Sequence, residues 1–236
     1  VSVAGLSGHT LRRGAVAAAS VAAVAAGASA PWWGRRALAG LAFFRVRAVE
    51  VDGTRYLSPG DVVARLGIDT TASVWDDARP LEARVRAHPQ VRSATIGRKL
   101  PGTLVVRIVE RTPVALAPTP DGLRAYDASG AMLPIDLTRV DLDLPIVMRP
   151  DPRTLALLAA LRERSPTLFG QISEVRRAAT GDLLLRLPAT EIVAPADADA
   201  ARLAMVVPVQ ADLARRHLRA ETLDLRYRDQ VVARLP

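Results

Sequence analysis

Few side chains in this 236-residue chain are of types that do chemistry, and they are widely spaced. His9, His88 and His217 could ligate a metal or shuttle protons, yet none has a metal-ligand partner at usable spacing. Three acidic pairs, Asp76/Asp77, Asp141/Asp143 and Asp197/Asp199, could hold a hard cation or divide acid and base roles between two carboxylates. Simpler readings fit them. The first and last pairs stand at expected helix starts, where a carboxylate caps, and Asp141 and Asp143 alternate with Leu142 and Leu144 as on the solvated face of a strand. The sequence contains no Gly-rich phosphate loop, Gly-x-Ser-x-Gly elbow or Ser-x-x-Lys pair. Without cysteine it has neither a disulfide framework nor a thiolate metal site. The reading is of a non-enzyme with no catalytic residue, no cofactor and no metal.

A formal charge of +8 must then be explained without an active site. Of 32 basic residues all but Lys99 are arginine, scattered singly or in pairs, and aromatic residues make up only 4%. A nucleic-acid binder would concentrate the charge and add stacking platforms, so nucleic acid is not an expected partner. The arginine pairs 12/13 and 35/36 stand apart because they flank an apolar stretch.

Between them runs "GAVAAASVAAVAAGASAPWWG", which carries no charge. A helix over residues 14–33, at about 1.5 Å per residue, matches the bilayer hydrocarbon, with Trp32 and Trp33 at the interfacial belt. A cleaved signal peptide ending at Ala28-Ser29-Ala30 is a second reading, although Pro31 follows the scissile bond. A buried helix is the third, and it would need a core wrapped around a chain end. The spanning reading is preferred even though the stretch is alanine-rich. It gives a short N-terminus (1–13), a transmembrane helix (14–33) and a juxtamembrane segment (34–44). Loop charge is balanced, and the long C-terminal side is compatible with an N-inside single-pass protein.

Beyond the juxtamembrane segment the apolar pattern changes period. In "RVRAVEVDG" Val49 and Val51 share one strand face, with Glu50 and Asp52 on the other. "LSPGDVVARLG" reads as a short helix capped by Ser58, opened by Pro59 and ended by Gly67, with Val62, Val63 and Leu66 as its apolar side. "WDDARPLEARVRAH" predicts a second helix, capped at Asp76 or Asp77, packing through Leu81 and Val85 and stopped by Pro89. Two strands follow, one turning Ala94 and Ile96 inward and the other Leu104, Val106 and Ile108, joined by a hairpin connection at 99–102. The order is β-α-α-β-β, with helices covering one side of a three-stranded sheet. Glu110 and Arg111 are read as fixing the hand-over to the next domain.

Residues 113–236 predict a β-rich α+β domain. Pro113, Pro118 and Pro120 are expected to punctuate the boundary, and "LRAYDASGAMLP" a hairpin turning at Ser129-Gly130. "DPRTLALLAALRER" is an amphipathic helix through Leu155, Leu158 and Leu161. Two or three strands lie around Thr180-Gly181-Asp182 and Pro188, then a long helix from Ala198 to Arg219 behind an Asp197 cap. Two short strands joined at 228–230 end the chain, with Leu223 and Leu225 alternating against Asp224 and Arg226.

The strings "VRAVEVDG", "HPQVRSATIGRKLPGTLVVRIVERTPVAL", "YDASGAMLP" and "LDLRYRDQVVARL", with the Ser-Pro start of the first helix, together resemble the FtsQ (DivIB) family of bacterial cell-division proteins over residues 45–236. The resemblance implies a POTRA domain over 45–112 and an FtsQ-type β domain over 113–236. It implies a single-pass inner-membrane scaffold, with its bulk in the periplasm at the division septum. Implied partners are FtsB, which joins FtsL, then FtsW-FtsI and FtsK, and the bilayer itself through 14–33. The implied FtsB contact is the C-terminal strand region, here Leu225, Arg226, Tyr227, Arg228, Val231 and Val232. Tyr227 matches the family's aromatic contact position, whereas Leu235 stands near a position that is often aromatic there. Tyr227 could instead pack half-buried beneath the final hairpin, and both readings stay open. Two rival readings are an outer-membrane translocation component, for which too few residues remain to build a barrel, and a secreted or periplasmic POTRA-containing binding protein or hydrolase released by signal peptidase.

Overall fold

The computed structural model describes residues 38–227 and 230–236. The apolar stretch 14–33, the N-terminus before it, residues 34–37 of the juxtamembrane segment, and Arg228 of the predicted contact region lie outside them. Among the described residues no helix is long and apolar enough to cross a membrane. The chain is α+β and forms two compact units. Of the described residues, one unit takes those up to Asp52 with Pro59–Val85 and Ala94–Ile108; the other takes Gly53–Ser58, Arg86–Ser93 and those from Val109 onward.

The first unit is built on a three-stranded sheet in the order β1-β3-β2, with β1 Ala48–Asp52, β2 Val91–Lys99 and β3 Thr103–Glu110, of which Val91–Ser93 and Val109–Glu110 count with the second unit. β1 runs parallel to β3, pairing Ala48 with Thr103 and Asp52 with Arg107. Strand alternation sorts the side chains as expected: Ala94, Ile96, Leu104, Val106 and Ile108 are buried. α1, Pro59–Leu66, buries Val62 and Leu66, and Gly67 ends it with φ +55°. Val63 corrects the expected apolar side, since it stands exposed. It lies one residue, about 100° of helix turn, from Val62, so the two cannot both face the sheet. α2, Arg79–Arg86, buries Val85, and Asp77 Oδ1 accepts the Arg79 N–H at 3.1 Å across its first turn. Asp76 Oδ2 instead accepts the Ser73 N–H at 2.7 Å.

The second unit carries a nine-stranded sheet in the order β12-β11-β10-β9-β8-β7-β4-β5-β6. Its strands are β4 Pro113–Thr119, β5 Gly122–Asp127, β6 Met132–Leu133, β7 Ile146–Val147, β8 Glu174–Arg177, β9 Leu183–Arg186, β10 Glu191–Ala194, β11 Thr222–Asp224 and β12 Val232–Arg234. The helices are α3 Pro152–Arg164, α4 Pro166–Phe169, α5 Ala200–Ala204 and α6 Val206–Arg215. Leu155, Leu158 and Leu161 of α3 share one buried cluster with Leu168, Val175, Leu185, Ile192, Leu203 and Leu223. Leu116, Ala125, Leu133 and Ile135 form a smaller core.

Several sequence expectations are corrected here. Pro113 opens β4 and Pro118 lies inside it, where a strand rather than a loop had to accept a proline. β7 pairs with β4 only at Leu116, so at Pro118 that side of the strand has no strand partner and proline's missing N–H costs nothing. Asp141 to Leu144 is not a strand; regular pairing starts only at Ile146. The expected long helix is two helices meeting at Met205. Pro208 explains the break, because it cannot donate to the Ala204 carbonyl and its ring crowds that group. The cap is Asp199, whose side chain accepts the Arg202 N–H at 2.7 Å, rather than Asp197. The second helix closes at Arg215, not Arg219. His217 adopts φ 57° beyond its end, and the Leu218 N–H returns to the Leu213 carbonyl at 2.9 Å.

Glu110 and Arg111 anchor the start of the second unit's chain. The Glu110 carboxylate accepts backbone N–H groups of Arg55 (2.8 Å), Tyr56 (2.9 Å) and Leu57 (2.9 Å). The Arg111 guanidinium pairs with the buried Asp127 at 2.8 Å. Burial pushes the Asp127 carboxyl up, but hydrogen bonds from Ser129, Arg111 and Ala131 outweigh it and hold its pKa below the ordinary carboxylate value. The same carboxylate organises the hairpin turn, where Gly130 takes φ +88°.

Candidate functional site

β12 is the end strand of the nine-stranded sheet. It pairs antiparallel with β11 through Thr222–Arg234, Leu223–Ala233 and Asp224–Val232. On its other side no described strand pairs with it, so one row of its backbone groups is left to whatever comes next. Side chains sort by the two-residue period. Val231 and Ala233 lean on the core, whereas Val232 is 44% exposed. Just before and after it, Tyr227 is 51% exposed and Leu235 44%. These three apolar side chains stand open beside an open backbone edge.

The segment leaving β11 is held from beneath. Leu225 is buried, its N–H donates to the Val193 carbonyl at 2.8 Å, and its own carbonyl accepts Arg202 Nε at 2.9 Å. As a surface contact Leu225 is therefore corrected: its side chain fills the core and both of its backbone groups are engaged. Arg202, two residues into α5, also donates through Nη2 to the Tyr227 carbonyl at 3.1 Å. One guanidinium thus fixes the backbone at 225 and 227 and leaves the Tyr227 side chain outward. The expectation of a half-buried tyrosine packed under the hairpin does not match that exposure.

Arg226 faces carboxylates. It pairs with Asp224 at 2.6 Å and with Asp182, in the turn before β9, at 3.4 Å. The hydrogen bond from Arg226 holds the Asp224 carboxyl below its usual pKa against the opposing effect of burial, and Asp224 raises the guanidinium's pKa in turn. Of the six predicted contact residues, the structure places the exposed side chains of Tyr227 and Val232 at the edge, Val231 half-buried behind it, Arg226 in an ion-pair network and Leu225 in the core.

Sequence reasoning missed Arg202 and Asp182. Neither belongs to the C-terminal segment, and the only available signal was the Asp199 cap, which fixes the start of the helix carrying Arg202. Among the described residues no group of three or more His, Asp or Glu side chains gathers as a metal site would. The arrangement offers hydrogen bonds along an extended backbone with the exposed apolar side chains of Tyr227, Val232 and Leu235 beside it, the chemistry of strand addition.

Residues 44–111 match the POTRA domain of FtsQ type. The chain is 31% identical over 212 residues to a cell division protein FtsQ of Rhodothermus marinus, covering 80% of this chain and 77% of that protein. It is 29% identical over 147 residues to a cell division protein FtsQ of Bradyrhizobium diazoefficiens, covering 61% and 42% respectively. A third relative of that name, from Novosphingobium aromaticivorans, is 28% identical over 200 residues, covering 82% and 62%. The chain thus spans about three quarters of the first relative and less than two thirds of the other two.

Proposed function

The chain belongs to the FtsQ family of cell-division proteins, and from that premise we propose that it is a non-enzymatic scaffold of the bacterial division machinery. Residues 14–33 tether it to the inner membrane, with the short N-terminus 1–13 in the cytoplasm and the bulk of the chain, beyond the tether, in the periplasm at the septum. FtsB adds a strand to β12, FtsL follows FtsB, and weaker contacts reach FtsW-FtsI and FtsK. Confinement to a membrane surface raises the effective concentration of each partner, so modest contacts on one chain add up without any catalytic step.

The observation that carries this reading is the open β12 edge next to Tyr227. Backbone pairing supplies affinity in strand addition, and outward side chains at alternate positions supply selectivity. Buried aromatic anchors dominate such interfaces, so Tyr227→Ala is expected to cost about 2 kcal/mol of binding, roughly a 30-fold loss of FtsB capture. The side chain is exposed, so thermal stability should shift by no more than about 0.5 kcal/mol. Tyr227→Glu should lose more, because it adds an unpaired charge to the same contact. Undiminished capture of FtsB by both variants would remove Tyr227 from the site.

A further inference from the structure

We infer that the end of the first unit formed by residues 41–47 and the 99–102 turn is a seat on the lipid bilayer, distinct from the tether, with apolar side chains entering the interfacial zone and arginines meeting anionic headgroups. Ala42–Phe44 forms a short 3₁₀ turn in which Phe43 is 61% and Leu41 51% exposed. On the turn between β2 and β3, Leu100 is 55% exposed. Three large apolar side chains at one end of a small unit have no internal reason to face water.

These residues are brought together by backbone contacts. Val46 N–H donates to the Ala72 carbonyl at 2.9 Å, Val74 N–H to the Phe44 carbonyl at 2.9 Å, and Arg47 N–H to the Gly102 carbonyl at 2.8 Å. A Cβ on Gly102 would stand 2.6 Å from the Arg45 carbonyl oxygen, so the β2–β3 turn and the 45–47 segment touch backbone to backbone. Leu100 is therefore carried beside Arg45 and Arg47. Phe43 stacks edge-on against Phe44 at 5.1 Å, and Phe44 against the half-buried Trp75 at 5.8 Å. Exposed Phe and Leu side chains are those that interfacial segments bury at the boundary between headgroups and acyl chains.

The charges agree with a lipid partner. Arg45 and Arg47 are exposed on the same segment. Lys99 pairs with Glu50 at 2.8 Å, and Arg98 sits over the Trp75 ring while donating to the Val74 and Asp76 carbonyls. Arg45 and Arg47 are left to meet phosphates, as basic residues flanking an inserted apolar cluster do at anionic membranes. The occupant is set by the chain itself, since Leu41 follows eight residues after the end of the uncharged 14–33 stretch. The inference rests on the reading of that stretch as a bilayer span.

The chain has no cysteine, so single-cysteine variants give unique labels. Full-length Phe43→Cys, Leu100→Cys and, as a control, Asp52→Cys would be spin-labelled and reconstituted in vesicles of phosphatidylcholine with phosphatidylglycerol. Asp52 is exposed at the opposite end of β1. Labels at 43 and 100 should show several-fold lower accessibility to a water-soluble nickel chelate than the label at 52, and higher accessibility to oxygen. Arg45→Glu with Arg47→Glu should abolish that difference. Labels at 43 and 100 as nickel-accessible as at 52, or shielding indifferent to charge reversal, would overturn the inference. Resistance to alkaline extraction reports separately on the span: an extractable chain removes the tether, and a retained chain with water-exposed labels removes only the seat.

Discussion

Arg202→Ala probes the device that aims the candidate edge. Its guanidinium makes two hydrogen bonds to carbonyls, at 2.9 Å to Leu225 in a partly buried setting and at 3.1 Å to Tyr227 at the surface. A hydrogen bond from a charged donor contributes about 1.5–3 kcal/mol when shielded from water, and the exposed one is discounted to well under 1 kcal/mol. Their loss should destabilise the 225–227 segment by about 2 kcal/mol. Much of that is local, and the melting temperature should fall by roughly 4–8 °C at most for a chain of this size. If the segment must be re-ordered when FtsB docks, the ordering cost passes to binding, so capture should weaken by up to about 30-fold. Hydrogen exchange supplies a readout that needs no partner: the Leu225 amide, bonded to Val193 at 2.8 Å, should exchange faster by a comparable factor. Arg202→Lys should fall between, because an ammonium cannot span both carbonyls in one planar fork. Unchanged Leu225 exchange together with unchanged FtsB capture would refute the idea that Arg202 positions the edge.

Two further outcomes concern the second unit. Asp127 has a folded pKa below its ordinary value, so the stability it contributes is present above the usual carboxyl range, near about 4, and is lost as pH falls through the folded value. Asp127→Asn should therefore flatten part of the acid-side loss in thermal unfolding measured between neutral and strongly acid pH, and lower stability at neutral pH. Glu110→Ala leaves the Arg55, Tyr56 and Leu57 N–H groups without their acceptor and should lower stability by about 2–3 kcal/mol, with Glu110→Gln intermediate, as read by urea denaturation.

What could be read from the sequence follows from which signals are local. Strand alternation at Ala94, Ile96, Leu104, Val106 and Ile108 survives in the fold because a two-residue period leaves one inward face. Pro59 and Gly67 bound α1 for equally local reasons, a preset φ at one end and a left-handed residue at the other. The failures came where a residue's meaning depends on its neighbour in space. Pro118 is tolerated inside β4 only because β7 is too short to reach it, which no window of sequence reveals. Pro208 did carry a local signal: a proline four residues after Ala204 divides the helix, and the continuous apolar pattern masked it. At the candidate site, the C-terminal segment and Tyr227 were singled out through family resemblance. Arg202 and Asp182, which fix that segment, were not, because they converge from 20 or more residues away.

The central claim is that a partner extends the nine-stranded sheet at β12. Amide hydrogen exchange across Val232–Arg234, with and without the FtsB segment, tests it most directly. Neighbouring amides in a strand point alternately to either side, so at least one of these three faces away from β11. That amide should exchange rapidly in the free protein and become strongly protected in the complex, alongside Tyr227 losing solvent exposure. Binding that leaves Val232–Arg234 exchange unaltered, with protection gathering at another surface, would contradict the account.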